Sequence, residues 1–413
     1  MTQADAACAV PEAVPTPAVP PAVLQDRHPS PTHCGVRIGS LYGWMLPALL
    51  PPLLAGVMLF GWRAAAMVLV VVLSTLAGAA GWKRVGQRGR SMRMRHALVL
   101  GLLLAMLMPA EAFRTGLPWW SLGAGATWPM LVGAGLLLSL LYWLFGGVGT
   151  RLHPVAATAL VLLIVFPGQM TATAVLGRPH LWRGDVLSQM PAPTTASDEM
   201  HLRRLLPADG PQALRMEPAS ETLTAFMRST PTDGIWLSLD GLIRELLPPL
   251  EDLIIGGHPM PVGLASMCAV LLGGLFLLYR GLADWRIPLV MLLSGLVALL
   301  CLRLPVVVTA DGPEWRWLAF REHGMTWETM LTFGFYQLAA GPMVFVAFFL
   351  ATDSASAPAT RGGRILYALG LGVLAAAGQL YLSVATGALV ALLVMSLLTP
   401  WITRLGVAWG RRR

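Results

Sequence analysis

Two stretches carry side chains able to do chemistry in a chain that is otherwise apolar. The first is a long polar insert, residues 171–258, holding seven Arg and eleven of the chain's 21 Asp and Glu. Inside it lies Met216-Glu-Pro-Ala-Ser-Glu-Thr-Leu-Thr-Ala-Phe-Met-Arg228, whose Thr222 hydroxyl is the leading candidate for a functional group. The second is Ala351-Thr-Asp-Ser-Ala-Ser-Ala-Pro-Ala-Thr-Arg-Gly-Gly-Arg364. Asp353 stands there at the end of an apolar run. An unpaired carboxylate is costly in that position, so an ionisable group there is a functional hypothesis by default. The hydroxyls and backbone amides around it, with Ser354 and Ser356, suit the edge of an isoalloxazine or a phosphate. A solvated Ser/Ala/Pro loop is the plain alternative.

Other stretches speak more for structure. Leu144-Phe-Gly-Gly-Val-Gly-Thr-Arg-Leu-His-Pro154 is either a tight turn or a broken-helix entry framing a ligand, and His153 reads as a helix-start residue rather than a metal ligand. Gly274–Pro288 places Tyr279, Trp285, Arg280 and Arg286 as interface anchors. Trp315, Trp317 and Trp327 in the loop 309–328 suit an interfacial belt, or a partner's docking face. Cys8, Cys34, Cys268 and Cys301 have no metal-binding spacing, so no metal site is expected. Phosphate-loop, dinucleotide-binding, zinc-protease and nucleophile-elbow patterns are absent. No catalytic residue of soluble-enzyme type is expected.

These residues must be positioned by membrane segments. Hydrophobic residues make up 56% of the chain and charged residues 12%, against about 25% charged in soluble domains. The net charge of +8 suggests nucleic acid at first sight, but the basic residues sit in short loops between apolar runs, where they set orientation instead. Ten spans are expected, at about 41–60, 63–81, 96–110, 124–145, 153–168, 260–279, 287–304, 329–351, 365–381 and 384–402. The fifth and ninth are short or glycine-rich, and interrupted or short spans often line a site rather than lipid. The basic clusters Lys83 to Arg95, Arg280/Arg286, Arg361/Arg364 and Arg404/Arg411–Arg413 fall on one side for an even number of spans. That side is the cytoplasm, with both termini, and the insert then lies outside.

The expected fold is therefore an all-α polytopic membrane protein. Residues 1–37 form a disordered Pro/Ala-rich tail, 38–170 a first membrane half, 171–258 the extracytoplasmic loop, 259–403 a second half, and 404–413 a basic tail. Trp62-Arg63 and Trp285-Arg286 each open an aliphatic run, which hints at two five-span halves, inverted because five is odd.

Several stretches together resemble one family, the RnfD component of the Rnf electron-transport complex and its relative, the B-type membrane component of the sodium-translocating NADH:quinone reductase. Ser30-Pro-Thr-His resembles the family's Ser-Pro-His-Thr-His. Phe145-Gly-Gly-Val-Gly-Thr-Arg-Leu-His-Pro-Val155 resembles Tyr-Gly-Gly-x-Gly-x-Asn-x-Phe-Asn-Pro-Ala. Phe166-Pro-Gly-Gln-Met170 resembles Phe-Pro-x-Gln-Met. Leu275 to Ile287 and Phe349 to Thr360 resemble its Leu-Phe-Leu-Leu-Tyr-Arg and Phe-Met-Ala-Thr-Asp runs.

The resemblance implies a flavoprotein subunit of an ion-pumping redox complex in the bacterial inner membrane. It implies FMN joined through its phosphate to a threonine in a Ser/Thr-Gly-Ala-Thr pattern, which falls at Ala219-Ser-Glu-Thr222. It also implies a flavin transferase and further complex subunits as partners, and leaves room for a second flavin, a riboflavin, near Asp353, Ser354 and Ser356. Ser220 and Glu221 replace the pattern's Gly and Ala, and Glu221 puts a carboxylate beside the phosphodiester. The Asn residues of the glycine turn are also replaced, around Arg151 and His153. Two other readings stay open: a flavin-free scaffold subunit, and a solute channel or transporter built on an inverted repeat.

Overall fold

The computed structural model describes residues 38–85, 92–110, 128–145, 152–170, 174–176, 214–216, 218–228, 242–243, 247–256, 258–309, 312–317, 327–353, 357–358 and 360–410. The tail 1–37, most of the insert, the glycine turn 146–151, Ser354 and Ser356 lie outside these residues.

Apolar runs become helices because in hydrocarbon each backbone amide must be satisfied within its own segment. In order they are α1 Ile38–Phe60, α2 Trp62–Val85, α3 Met94–Met106, α4 Trp128–Phe145 and α5 Pro154–Val165, followed by the single turn α6 Pro167–Met170. The insert contributes α7 Ala219–Arg228 and α8 Leu250–Ile255. Then come α9 Met267–Tyr279, α10 Arg286–Cys301, α11 Trp327–Ala340, α12 Met343–Phe345, α13 Arg361–Tyr381 and α14 Val384–Gly410. Among the described residues, five helices are long and apolar enough to cross a membrane, and α11 with α12 and its extension adds a sixth span bent by 67°. Helices α3, α5, α9 and α10 are apolar but shorter.

A helix falls on each of the ten expected stretches, yet several lengths differ from expectation. The ninth stretch, suspected of being interrupted, is the full-length α13. The third and sixth are cut short. Helix α3 stops at Met106 rather than 110, and α9 starts at Met267 rather than 260, after a 3-10 turn at Val262–Leu264. The two frayed ends meet: the Val262 N–H donates to the Met108 carbonyl at 3.0 Å, and a side chain at Gly263 would strike Met106. Irregular backbone at this depth is tolerated because it is buried in protein, as Met106, Met108 and Val262 are.

Local chemistry sets several boundaries. Ser266 Oγ caps α9 by accepting the Ala269 N–H at 3.3 Å, and Thr360 Oγ1 caps α13 by accepting that of Gly363 at 3.2 Å. Gly341-Pro342 breaks α11 from α12, where proline supplies no amide to continue the ladder. Beyond it Val346–Leu350 forms a fully buried π turn, with the Phe345 and Phe349 rings 5.1 Å apart.

The apolar stretches carry helices, as expected. Two short antiparallel ladders lie in the connections: β1 Ala174–Leu176 with β2 Leu214–Met216, and β3 Arg303–Thr309 with β4 Gly312–Trp317, the latter bulged between Pro305 and Val307. Trp315 and Trp317 thus belong to a hairpin strand. Trp315 and Trp317 alternate with Arg316, and Val306–Val308 of the partner strand are β-branched, a strand signal the apolar-run reading passes over.

One close crossing occurs twice. A side chain at Gly135 of α4 would collide with Ser74, and one at Gly372 of α13 with Ser294. In each case the same three atoms wall the glycine: the serine Oγ, the carbonyl three residues earlier (Val71 or Met291) and the next backbone nitrogen (Thr75 or Gly295). Each serine hydroxyl turns inward onto that carbonyl, at 2.9 and 3.2 Å. Small residues let the backbones approach, which drives helix packing where lipid offers no hydrophobic contrast. The Trp-Arg pairs are not in the same register. Trp62 precedes Ser74 by 12 positions and Trp285 precedes Ser294 by 9, so the pairs differ by about one helical turn.

Candidate functional site

The helix α7, which carries Thr222, is clamped over the far end of the bundle, the end opposite the arginine-bearing turns. Its first amide, Ala219 N–H, donates to His258 Nε2 at 2.8 Å, so a histidine 39 residues away supplies an N-terminal acceptor. Leu223, Phe226 and Met227 form its buried face, and the Gln337 amide of α11 meets Met227 Sδ at 3.8 Å. Thr224 docks it to α14: its hydroxyl donates to the Ser220 carbonyl at 2.6 Å and accepts the Val384 N–H at 3.2 Å.

Beside α7 opens a cavity of about 600 Å³. Ser220, Glu221 and Thr224 line it from α7, Ser383 and Thr386 from the start of α14, and Pro342 from the helix break. Thr222 is not in the lining. At about 100° per residue it is carried around the helix past the lining residue Glu221. It is half-buried, and its hydroxyl makes one long bond, 3.4 Å, to the Pro218 carbonyl. Of the two threonines on α7, Thr224 is committed twice and Thr222 is loosely held.

These features fit a tethered flavin. The volume lies within the range of cofactor sites, about 300–1,000 Å³, and the weakly engaged, half-buried hydroxyl of Thr222 lies on the same helix, next in sequence to the lining residue Glu221. Glu221 is the dissonant residue. In the first turn it suits the positive helix N-terminus, yet it repels a neighbouring phosphodiester. Nearby, the Asp252 carboxyl of α8 is pushed up from its ordinary value by burial and by the adjacent Glu251 charge.

Asp353 lies at the other, arginine-bearing end. It follows the π turn, with its N–H donating to Leu350 O at 3.3 Å and its carbonyl accepting the Ala357 N–H at 3.1 Å. His153 Nε2 stands 3.9 Å from its Oδ2. The cavity beside Asp353, walled by Tyr42, Thr352 and apolar side chains, holds about 30 Å³, room for a water and not for a ring. Thr222 and Asp353 are thus on opposite ends of the bundle and do not share a site.

Two features escaped the sequence reading. Arg364, 7% exposed, binds Asp284 Oδ2 at 2.8 Å and the Pro358 carbonyl at 3.0 Å, tying the segment after Asp353 to the turn before α10. Nothing in the sequence links two residues 80 positions apart. Tyr42 stacks on His96 at 4.0 Å, and Tyr142 meets His96 edge-on at 5.0 Å. His96, opening an apolar run directly after Arg95, was the available signal. Among the described residues no cluster of three His, Cys, Asp or Glu could hold a metal.

Bundle and site together define a multi-pass helical membrane protein with a cavity at one end and a buried polar cluster at the other. The chain belongs to the NQR2, RnfD, RnfE family, which matches residues 27–408. It is 28% identical over 361 residues to the D-type component of the Na(+)-translocating ferredoxin:NAD(+) oxidoreductase complex of Acetobacterium woodii, covering 86% of this chain and 85% of that one. It is 30% identical over 363 residues to the D-type component of the ion-translocating oxidoreductase complex of Stutzerimonas stutzeri, covering 86% and 87%. Against the corresponding component of the Halorhodospira halophila complex the identity is 28% over 378 residues, covering 90% of each.

Proposed function

We propose that the chain is the membrane flavoprotein subunit of a redox-driven ion translocase of the Rnf type, with FMN carried on Thr222. The observation that carries this reading is the loosely bonded Thr222 hydroxyl on the helix that walls a cofactor-sized cavity, in a chain whose family and relatives belong to such complexes. In this reading ten spans form two inverted halves in the bacterial inner membrane, and the recurring glycine crossing supports the repeat. The arginine-bearing end and both termini face the cytoplasm, and α7 faces outside, where a flavin transferase and the other subunits meet it.

FMN, when bound, supplies one- and two-electron redox chemistry; this chain supplies position and electrostatics. His258 and Thr224 fix α7, Leu223, Phe226 and Met227 seal its inner face, and Pro342 and Thr386 wall the cavity opposite Glu221. The hydrocarbon core is about 30 Å thick, too wide for one efficient electron hop, so a station at one face needs further carriers among the partner subunits. A charge moved against about 100 mV costs about 2.3 kcal/mol, within the compass of a flavin redox step.

The test is redox-driven ion uptake by membrane vesicles from host cells lacking the chain and complemented with wild type or Thr222→Val. Wild type restores uptake and Thr222→Val does not. Equal uptake with both would refute the role of Thr222. One observation favours a second reading, a flavin-free scaffold: Glu221, in the first turn of α7, puts a carboxylate next in sequence to the proposed attachment residue. A complex assembled and pumping with bare Thr222 would establish that reading instead.

A further inference from the structure

We propose that Trp44 and Arg280, with Arg286 beside them, form a binding site for the headgroup of an anionic phospholipid at the arginine-bearing end of the bundle. The site does not depend on FMN at Thr222, nor on which side of the membrane this end faces. It needs only a chain that lies in a bilayer.

Two features of the packing hold the site in place. Helices α1 and α9 cross so closely that a side chain at Gly273 would strike the Ala48 carbonyl. From that crossing Trp44 lies about one turn back along α1 and Arg280 about two turns on along α9, so both reach the same end. Gly281, at φ +65°, stops α9 directly after Arg280, and the Leu282 N–H turns back to the Leu277 carbonyl at 3.0 Å. The Arg280 guanidinium then lies over the Trp44 ring, 3.7 Å from its centroid.

The stack decides which part of the guanidinium is free. One face is covered by the indole, while the N–H groups point outward in the plane of the fork, the arrangement that grips a phosphate. Among the described residues no carboxylate meets Arg280. Arg286 follows on the same turn, its guanidinium 5.8 Å from the Trp285 ring, and it too has no carboxylate among them. The one acidic residue of the turn is already engaged. Asp284 Oδ2 binds Arg364 at 2.8 Å, and its Oδ1 accepts the Arg286 backbone N–H at 3.2 Å. Two guanidiniums are thus left without an anion of their own.

The surroundings select a lipid as the source of the phosphate. Tyr279 is 87% exposed and Trp285 56%, aromatic side chains of the kind that sit at headgroup level. Back along the same face of α9 stand Leu275 and Leu272, both exposed, a track for an acyl chain that leads up to Arg280. The charge balance then selects the headgroup. A zwitterionic lipid would bring its cation to a turn whose only carboxylate is engaged, whereas an anionic lipid brings nothing that the turn repels. The carbonyl end of α9 disfavours a phosphate, so the guanidiniums must supply the attraction, and losing one should be felt.

Native mass spectrometry of the purified, delipidated full-length chain decides the matter, with titration by phosphatidylglycerol or by phosphatidylethanolamine of the same acyl chains. One phosphatidylglycerol should bind at about tenfold lower concentration than phosphatidylethanolamine. Arg280→Gln should weaken that binding about tenfold. Arg280→Lys keeps the charge but loses the planar fork, and should fall between the two. Trp44→Leu should weaken it with no change of charge. Arg84→Gln removes an equal charge from an exposed position at the same end, and should bind as wild type does. Trp44 and Arg280 are exposed, so the variants should keep the wild-type size-exclusion profile. Equal affinity for the two lipids, or an unchanged affinity in Arg280→Gln, would overturn the proposal. So would equal losses in Arg84→Gln and Arg280→Gln, which would reduce the site to general attraction by charge.

Discussion

Replacing Arg364 by Met isolates the contact that organises the arginine-bearing end. The guanidinium is 7% exposed and meets an Asp284 carboxylate that is 16% exposed, at 2.8 Å. Breaking a buried pair from one side costs about 3–5 kcal/mol, because the remaining charge keeps its desolvation penalty. Asp284 would retain one bond, from the Arg286 N–H to Oδ1 at 3.2 Å, and some access to water, which argues for the lower end of that range. Arg364→Met should therefore destabilise the protein by about 3 kcal/mol, roughly a hundredfold in the folded ratio. Asp284→Asn should cost less, since Arg364 also donates to the Pro358 carbonyl. Reversible unfolding in mixed detergent, run as a double-mutant cycle, measures the coupling, expected at about 2 kcal/mol. Single variants within about 0.5 kcal/mol of wild type, with coupling near zero, would mean that the pair behaves as a solvated surface bridge and would refute the reasoning.

Three further outcomes follow from the packing. Gly135→Val and Gly372→Val should each abolish folded protein in a fluorescence-detected size-exclusion assay, because backbone and serine atoms close on both glycines. Gly133→Ala, with nothing within 4 Å, should express normally. His258→Ala strips the Ala219 N–H of its acceptor, at a cost of about 1–3 kcal/mol to the docking of α7, and limited proteolysis should then cut the chain near residue 219 several-fold faster. Gln379 is fully buried with neither amide atom bonded, so Gln379→Leu should be neutral or stabilising within about 1 kcal/mol by thermal shift; a loss of several kcal/mol would show that its amide is satisfied in the membrane.

The helices were legible in the sequence because hydrocarbon enforces apolar runs, and each expected stretch carries one. Their interruptions were not. Leu107–Ala110 and Met260–Leu264 each hold a proline, Pro109 and Pro261, able to mark a break, but that the two broken ends meet is seen only in the Val262 to Met108 bond made across the bundle. The repeat was sensed through Trp-Arg pairs that turn out to be about a turn out of register, while the residues that recur are Gly135 with Ser74 and Gly372 with Ser294. Small residues in apolar runs look like any others until a partner helix is known. At the site, Thr222 was singled out by resemblance. Its looser bonding than Thr224, and its absence from the cavity wall, come from helix phase and from Val384, 160 residues beyond Thr224. His153 was read as a helix-start residue and caps α5 as expected. That its second nitrogen stands near Asp353 is a product of the fold.

The role of Thr222 as the flavin's anchor is tested most directly by peptide mass spectrometry of the protein purified from its own host, beside Thr222→Val. An FMN-sized mass addition is expected on the peptide holding Thr222, absent from the variant. A bare Thr222 peptide, with the host's flavin transferase shown to be active on another substrate, would contradict it.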